Sequence, residues 1–412
     1  MHFIYTNKDK IMISDASRPY IDASVPVLRE HGLTITKLFY ANMFKAHPEL
    51  TSLFNMGNQA NGAQQQSLAS AVFAYAANIG TPEALGPVVK RIVHKHVSVG
   101  IRAEHYPIVG HHLLGAIAAT LGDAATQPLL DAWKEAYTSL ANLLIAAEAE
   151  MYSTAGILPG ETHPMRVTEV VRESENVISI RFVPANGKPL PLFQPGQYVS
   201  VAVDLPDGRH QLRQYSLSDT PGLNSMRISV KRQDAVQDGV ETIPAGMVSN
   251  WLHANVAVGS ILQVSHPFGE FTPDTESDAP VVLLSAGVGI TPMVPSIKRI
   301  AQVQPQRRVV FAHAARGAAH HALGAEVEAL KAVMPNLTVV NFYEEVGDAQ
   351  DVIEGRMNVA VLPSWAFEEA HVYLCGPHKF MQAQWLSLLH HGVPAARLHR
   401  EVFGPEMLDH LL

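Results

Sequence analysis

The sequence predicts a multidomain chain: an all-α module, then a small antiparallel β-barrel, then an α/β module built on a parallel sheet. Three observations carry that expectation. Residues from about 14 to 152 repeat apolar side chains at helical spacing only. From 165 to about 273, short strand-like runs sit between glycine and proline turns. From 279 onward, continuous apolar strands alternate with helices, as in a parallel sheet covered on both faces. The boundaries that follow are 12–152, a linker over 153–164, 165–273 and 274–412. A chain of 412 residues also exceeds what one core usually supports.

In the helical module, Ile35, Leu38, Phe39 and Met43 make one stripe, and Leu68, Val72, Tyr75 and Ile79 a second. Val88, Val89, Ile92 and Val93 make a third; Val109, Leu113 and Ile117 a fourth; Trp133, Tyr137, Leu140, Leu144 and Met151 a fifth. Gly32, Pro48, Asn61-Gly62, Thr81-Pro82 and Gly122-Asp123 punctuate them. The linker rests on Gly156, Pro159, Gly160 and Pro164. Barrel strands are expected at 177–182 and 198–203, and strands of the parallel sheet at 281–284, 309–312, 339–342 and 372–374. No internal repeat or low-complexity tract interrupts this order.

The composition is globular, 47% apolar and 17% charged. A formal charge of −8 argues against general nucleic-acid binding, which needs a basic face. One cysteine, Cys375, cannot form an internal disulfide, which fits a reducing cytosol. Residues 1–10 lack the apolar run of a signal peptide, and no stretch reaches the roughly 18 apolar residues of a membrane span. The expectation is a cytoplasmic chain without stable membrane insertion, with Met12 as an alternative start to Met1.

The informative residues are polar ones on apolar stripes. His96 follows Ile92 by four residues, on the face of Val89 and Val93; Gln64 heads the Leu68 stripe. Tyr106 opens the stripe of Val109, and Glu148 follows Leu144 by four. Burying a carboxylate is costly unless it is paired and hydrogen-bonded. Four such placements in one module point to a shared internal polar site. Each also has a plainer reading: a hydrogen-bonded core histidine, a Tyr or Gln at a half-exposed edge, a solvated Glu.

The stretches Leu53-Phe54-Asn55-Met56, Asn61-Gly62-Ala63-Gln64, His94-Lys95-His96-Val97-Ser98 and Glu104-His105-Tyr106-Pro107-Ile108-Val109-Gly110 resemble the haem domain of bacterial and yeast flavohaemoglobins. The resemblance spans nearly the full chain from about Ser14. It implies a globin over 12–152 with His96 as proximal ligand of haem b iron. His94 is rotated about 200° from that face. Tyr106 and Glu148 are then the relay behind the imidazole, which gives the ring anionic character and suits oxygen activation. Tyr40 and Gln64 match the distal pair, Leu68 a distal apolar wall, Phe54 the phenylalanine packed on haem, and Lys95 a lysine near the haem–flavin junction.

Further along, Arg213-Gln214-Tyr215-Ser216 resembles the Arg-x-Tyr-Ser motif of ferredoxin reductase-like flavoproteins, with Tyr198 as a further FAD contact. There Arg neutralises pyrophosphate, Tyr packs on the flavin ring, and Ser hydrogen-bonds near its reactive nitrogen. Gly246, Val248 and Ser249 resemble a glycine turn opening a helix, a ready pyrophosphate site. The run Gly287, Val288, Gly289, Ile290, Thr291, Pro292 after a buried strand resembles the NAD(P)H site of that superfamily, with Cys375, Gly376 and Pro377 as partner motif. Cys375 has the rival reading of a small buried apolar residue. Glu401, Val402, Phe403, Gly404 and Pro405 match the C-terminal segment that closes over the flavin. Arg316 alone does not choose between NADH and NADPH.

The function implied by the resemblance is nitric oxide dioxygenase: electrons pass from NAD(P)H through FAD to haem, and NO and O2 become nitrate. The implied partners are O2, NO and NAD(P)H, with lipid in the distal pocket as a further candidate, in a monomer. Two alternatives stay open. One is an oxygen-binding sensor or store with an auxiliary haem reductase; the other is a peroxide-reducing flavohaem enzyme.

Overall fold

A computed structural model describes residues 13–404 apart from 55, 61, 81, 239 and 240. Met1, Met12, Asn55, Asn61, Thr81 and Pro405 lie outside the described residues. Two compact units form. The first runs to Glu161 and takes in Arg209–Leu212 and Gly404; the second comprises Thr162–Gly208 and Arg213–Phe403.

The first unit is helical: α1 (Arg18–Ala46), α2 (Met56–Ala60), α3 (Ala63–Asn78), α4 (Pro82–Val99), α5 (His105–Leu121) and α6 (Gln127–Ala155). Leu85, Val89, Val93 and Val97 recur every fourth residue along α4, and all are buried. Tyr106, Leu113 and Ile117 make the buried face of α5 at spacings of seven and four, and Trp133, Leu144, Glu148 and Tyr152 that of α6 at spacings of eleven, four and four. Gly32 is not the helix boundary expected of it. It lies inside α1, where an added Cβ would meet Ala69 Cβ of α3 at 3.5 Å, so it marks close helix packing. The expected linker is also shorter than 153–164. Helix α6 runs to Ala155 and is capped by Gly156 in the left-handed region, φ 65°, while the next strand starts at Thr162.

The second unit begins with β1 (Thr162–Arg172), β2 (Val177–Pro184), β3 (Tyr198–Asp204), β4 (His210–Ser216), of which residues 213–216 fall in this unit, and β5 (Met226–Lys231). A small pair, β6 (Val236–Asp238) and β7 (Glu241–Ile243), precedes α7 (Met247–Asn255) and β8 (Ile261–Ser265). The larger sheet has the order β4-β3-β8-β1-β2-β5. A bridge between Leu217 and Ile228, reinforced by Ser218 N–H donating to Arg227 O at 2.8 Å, joins its two edges and closes the barrel. Ile180, Phe182, Val199 and Ile228 point inward, and Val248 and Leu252 of α7 join that core.

The parallel sheet follows: β9 (Val281–Ala286), α8 (Met293–Val303), β10 (Val309–Ala315), α9 (Gly324–Ala329), β11 (Leu337–Tyr343), β12 (Val352–Glu354), α10 (Trp365–Glu368), β13 (His371–Cys375), α11 (His378–His390) and β14 (Leu398–Glu401). Its order is β12-β11-β10-β9-β13-β14. Val281 and Leu283 enter one core, Val282 and Leu284 the other, which is why the strand reads as an unbroken apolar run. Strand order reverses at β9, and in such sheets ligands bind beyond the carboxyl end of the reversal point.

Barrel and parallel sheet fall in one unit, and a network of buried and half-buried charges links them. Arg227 of β5 donates to Glu326 of α9 at 2.6 Å, and Lys298 of α8 bonds Glu326 at 3.0 Å and also Asp219. No described helix is long and apolar enough to cross a membrane.

Candidate functional site

Three helices bring His96, Tyr106 and Glu148 together. Glu148 Oε1 lies 2.7 Å from His96 Nδ1 and accepts the Tyr106 hydroxyl at 2.5 Å; Tyr106 Oη is 3.1 Å from the same nitrogen. Glu148 is buried, so the reading of it as a solvated side chain does not hold. A carboxylate only accepts, so the ring proton is assigned to Nδ1 and the lone pair to Nε2. Burial, then the neighbouring Glu148, pushes the Tyr106 phenol up and keeps it a donor. Tyr137 fixes the turn carrying it by donating to Tyr106 O at 2.6 Å. The imidazole stays 34% exposed between buried Val93 and Val97. These residues fit a haem: the nitrogen available to iron is Nε2, and the ring behind it is held by a carboxylate.

Tyr40 is buried on α1. Gln64 Nε2 donates to its oxygen at 3.4 Å; its ring stacks on Phe44 at 5.6 Å and meets Phe54 edge-on at 5.7 Å. Burial pushes the phenol up to about 12, so Tyr40 keeps its proton. Leu68 is half-buried one turn beyond Gln64. Lys95 is half-buried and donates to Gly404 O at 2.7 Å, both within the first unit.

At the end of β4, Ser216 Oγ is buried and has no hydrogen-bond partner among the described residues. Such an orphan costs about 1–3 kcal/mol unless a ligand satisfies it. Burial pushes the neighbouring Tyr215 phenol up and the Arg213 guanidinium down, while Gln214 between them is exposed. Tyr198 is buried at the start of β3. Gly246 opens α7, with Asn250 Nδ2 and Ser249 Oγ donating to its carbonyl at 2.8 and 3.3 Å. The Val248 side chain belongs to the barrel core, which leaves its backbone for a ligand. An orphaned hydroxyl, a desolvated cation and a helix start are what FAD requires of a protein.

Beyond β9 the chain turns through Gly287, φ 53°. A Cβ on Gly289 would sit 2.2 Å from Cys375 O and 2.7 Å from Gly376 N, so only glycine permits this approach. The two motifs therefore meet at the reversal point of the sheet. Thr291 Oγ1 donates to Val288 O at 2.9 Å, Pro292 precedes α8, and Pro377 precedes α11. The side chains of Ile290 and Cys375 are core, and burial, then Glu401, pushes the Cys375 thiol up. Its backbone, not its sulfur, faces the glycine turn. Glu401 pairs in register with Cys375 and accepts Val402 N–H at 2.9 Å; Phe403 is exposed and Gly404 has φ 113°.

Sequence reasoning passed over three residues. Phe44, one turn from Tyr40, had the stripe spacing to be found. His313 of β10 is buried beneath the glycine turn, with Nδ1 2.8 Å from Ser285 Oγ. Gln59 of α2, whose Nε2 is buried without a hydrogen-bond partner among the described residues, carried no periodic signal.

Family models match three segments: globin over residues 37–144, oxidoreductase FAD-binding domain over 164–272 and oxidoreductase NAD-binding domain over 283–385. The chain is 47% identical over 404 residues to a flavohemoprotein of Bordetella parapertussis, covering 95% of this chain and 99% of that one. It is 48% identical to a flavohemoprotein of Chromobacterium violaceum, covering 95% and 98%. A crystal structure of a Malassezia yamatoensis flavohemoglobin with bound FAD and heme superposes with a TM-score of 0.82 at 30% identity, covering 95% of this chain and 99% of that one. The FAD/NAD-binding domain of a Vibrio cholerae nitric oxide dioxygenase gives a TM-score of 0.54 at 38% identity, covering 60% of this chain and all of that one.

Proposed function

The chain belongs to the flavohemoprotein family, a globin joined to FAD-binding and NAD-binding oxidoreductase domains, and on that premise we propose that it is a nitric oxide dioxygenase. The observation that carries this reading is the 2.7 Å contact between Glu148 and His96 Nδ1. When bound, the cofactors supply hydride acceptance, single-electron transfer and oxygen chemistry.

The chain's own residues do the rest. Glu148 takes the ring proton of His96 into a strong hydrogen bond and makes Nε2 an electron-rich ligand, which favours turnover over storage. Tyr106 holds Glu148 in place. Tyr40, with Gln64 against its oxygen, would offer its proton to a bound partner that gains negative charge. Phe44 and Phe54 pack around the Tyr40 ring and keep its surroundings apolar. Arg213, Tyr215 and Ser216 would hold FAD, with Arg213 supplying positive charge for its pyrophosphate, and Gly287 and Gly289 would let a dinucleotide approach the sheet. The partners of this reading are NAD(P)H, O2 and NO.

The test is NADH-dependent loss of nitric oxide from aerobic solution, with nitrate assayed as product. Stoichiometric nitrate supports the reading. Stable oxygen binding with negligible nitric oxide turnover, or faster turnover of peroxide, would replace it.

A further inference from the structure

The charge network between barrel and parallel sheet ends on the segment that carries the flavin motif. Asp219 stands three residues after the orphaned Ser216 hydroxyl, and Lys298 stands on α8, the helix that opens directly after the glycine turn at 287–292. Lys298 Nζ donates to Asp219 Oδ1 and, at 3.0 Å, to Glu326 Oε2 of α9. Arg227 grips the same segment from β5. Its Nη2 donates to Ser218 O at 2.5 Å, its Nε to Ser218 Oγ at 3.2 Å, and its Nη1 to Glu326 Oε1 at 2.6 Å. Ser229 Oγ donates to the Ser218 hydroxyl at 2.8 Å, and Arg181 Nη2 to Asp219 Oδ2 at 2.8 Å. Ser218, Asp219 and Arg227 are buried. The segment after Ser216 is thus held at backbone, hydroxyl and carboxylate, and two cations carry its position to α8 and α9.

We infer that Lys298 is a positioning residue for hydride transfer, acting through Asp219. The inference rests on the reading that NADH reduces a flavin held at Tyr215 and Ser216. A hydride takes two electrons and a proton from the nicotinamide to the flavin only where the reacting atoms come within about 3–3.5 Å. The flavin motif belongs to the barrel and the glycine turn to the parallel sheet, so a contact between the two modules must set that distance. A helix is stiff, and at about 1.5 Å per residue Lys298 lies only about 8 Å along α8 from Met293. A buried ion pair is often no more stabilising than apolar residues of similar volume. What this pair adds is one fixed spacing between glycine turn and flavin segment.

The test compares the full chain, loaded with FAD and haem, with its Lys298→Met variant. In that variant Asp219 keeps Arg181 and Glu326 keeps Arg227, so neither carboxylate loses its last cation. Anaerobic stopped-flow at saturating NADH reads the limiting rate of flavin reduction. Titration of the dithionite-reduced chain with NAD+ reads the long-wavelength charge-transfer absorbance of a nicotinamide lying on the flavin. FAD and haem content should stay native. The limiting rate should fall about tenfold to a hundredfold, as expected of a misplacement of about 1 Å. The charge-transfer absorbance should weaken, while the NADH concentration at half-maximal rate changes little. A native rate and native absorbance in Lys298→Met, or a loss of rate that only follows loss of FAD, overturn the inference. If the Met variant fails to fold, Lys298→Gln carries the test with the same expected outcomes. A native chain that binds FAD but is not reduced by NADH undoes the parent reading, whereas a reducible chain indifferent to Lys298 undoes this inference alone.

Discussion

Glu148 Oε1 and His96 Nδ1 lie 2.7 Å apart, with the carboxylate 2% exposed. A buried carboxylate with one imidazole and one phenol as partners polarises the ring strongly, since little solvent screens it. Glu148→Gln should keep haem but lower the iron–histidine stretching frequency in the Raman spectrum of the ferrous form. Nitric oxide turnover should fall about 10–100-fold, the usual effect of losing such a supporting group. Flavin reduction by NADH should not change.

On α1, Tyr40 keeps its proton because burial holds the phenol up to about 12. Tyr40→Phe removes that donor. A hydrogen bond to a ligand that gains charge is worth about 1.5–3 kcal/mol, so dioxygen should dissociate about 10–100-fold faster. Stopped-flow displacement by carbon monoxide measures it, and an unchanged rate would remove Tyr40 from the pocket.

Gly289 has no room for a methyl group, because a Cβ would lie 2.2 Å from Cys375 O. Gly289→Ala should force the turn away from the end of β13. FAD should stay bound and be reducible by dithionite, while flavin reduction by NADH slows by at least an order of magnitude. Normal NADH reduction in this variant would separate the glycine turn from the nicotinamide site.

Acid should loosen the second unit through two imidazoles. His313 is buried and stacked on His321 at 4.2 Å; His321 Nδ1 is 2.7 Å from the Tyr343 hydroxyl. Burial, then His321, holds His313 well below 6.5, and burial holds His321 at about 4, with Glu328 opposing. Groups whose folded pKa is depressed bind protons first in the unfolded chain. Stability is therefore unaffected above about 6.5 and falls as pH drops from there towards about 4. Melting of the FAD-loaded chain should follow that window, and His321→Gln should flatten it. A melting temperature constant from pH 7 to 4.5 would contradict the assignment.

Much of this was legible because periodicity reports burial. His96 and Glu148 stood on apolar stripes where a polar residue needs a reason, and the structure gives them one. The strands of the parallel sheet read clearly because both faces are covered. Gly32 misled because a helix tolerates one glycine for about 1 kcal/mol when a neighbouring helix gains from the closer approach. The linker looked too long because Gly156 is a helix cap as well as a turn residue. Val248, Ile290 and Cys375 were legible as motif positions, yet their side chains serve the core while the backbone is what a ligand can reach. Gln59 and the orphaned Ser216 hydroxyl were out of reach, since an unsatisfied donor exists only once distant segments have packed.

The most direct test is the absorption spectrum of the purified full chain, without oxygen, before and after NADH. A ferric Soret band should move to its ferrous position as the flavin absorbance bleaches. In His96→Ala the flavin should still bleach while the Soret band is missing. A native chain expressed with ample haem that shows no Soret band, or a His96→Ala variant whose Soret band survives unaltered, contradicts it.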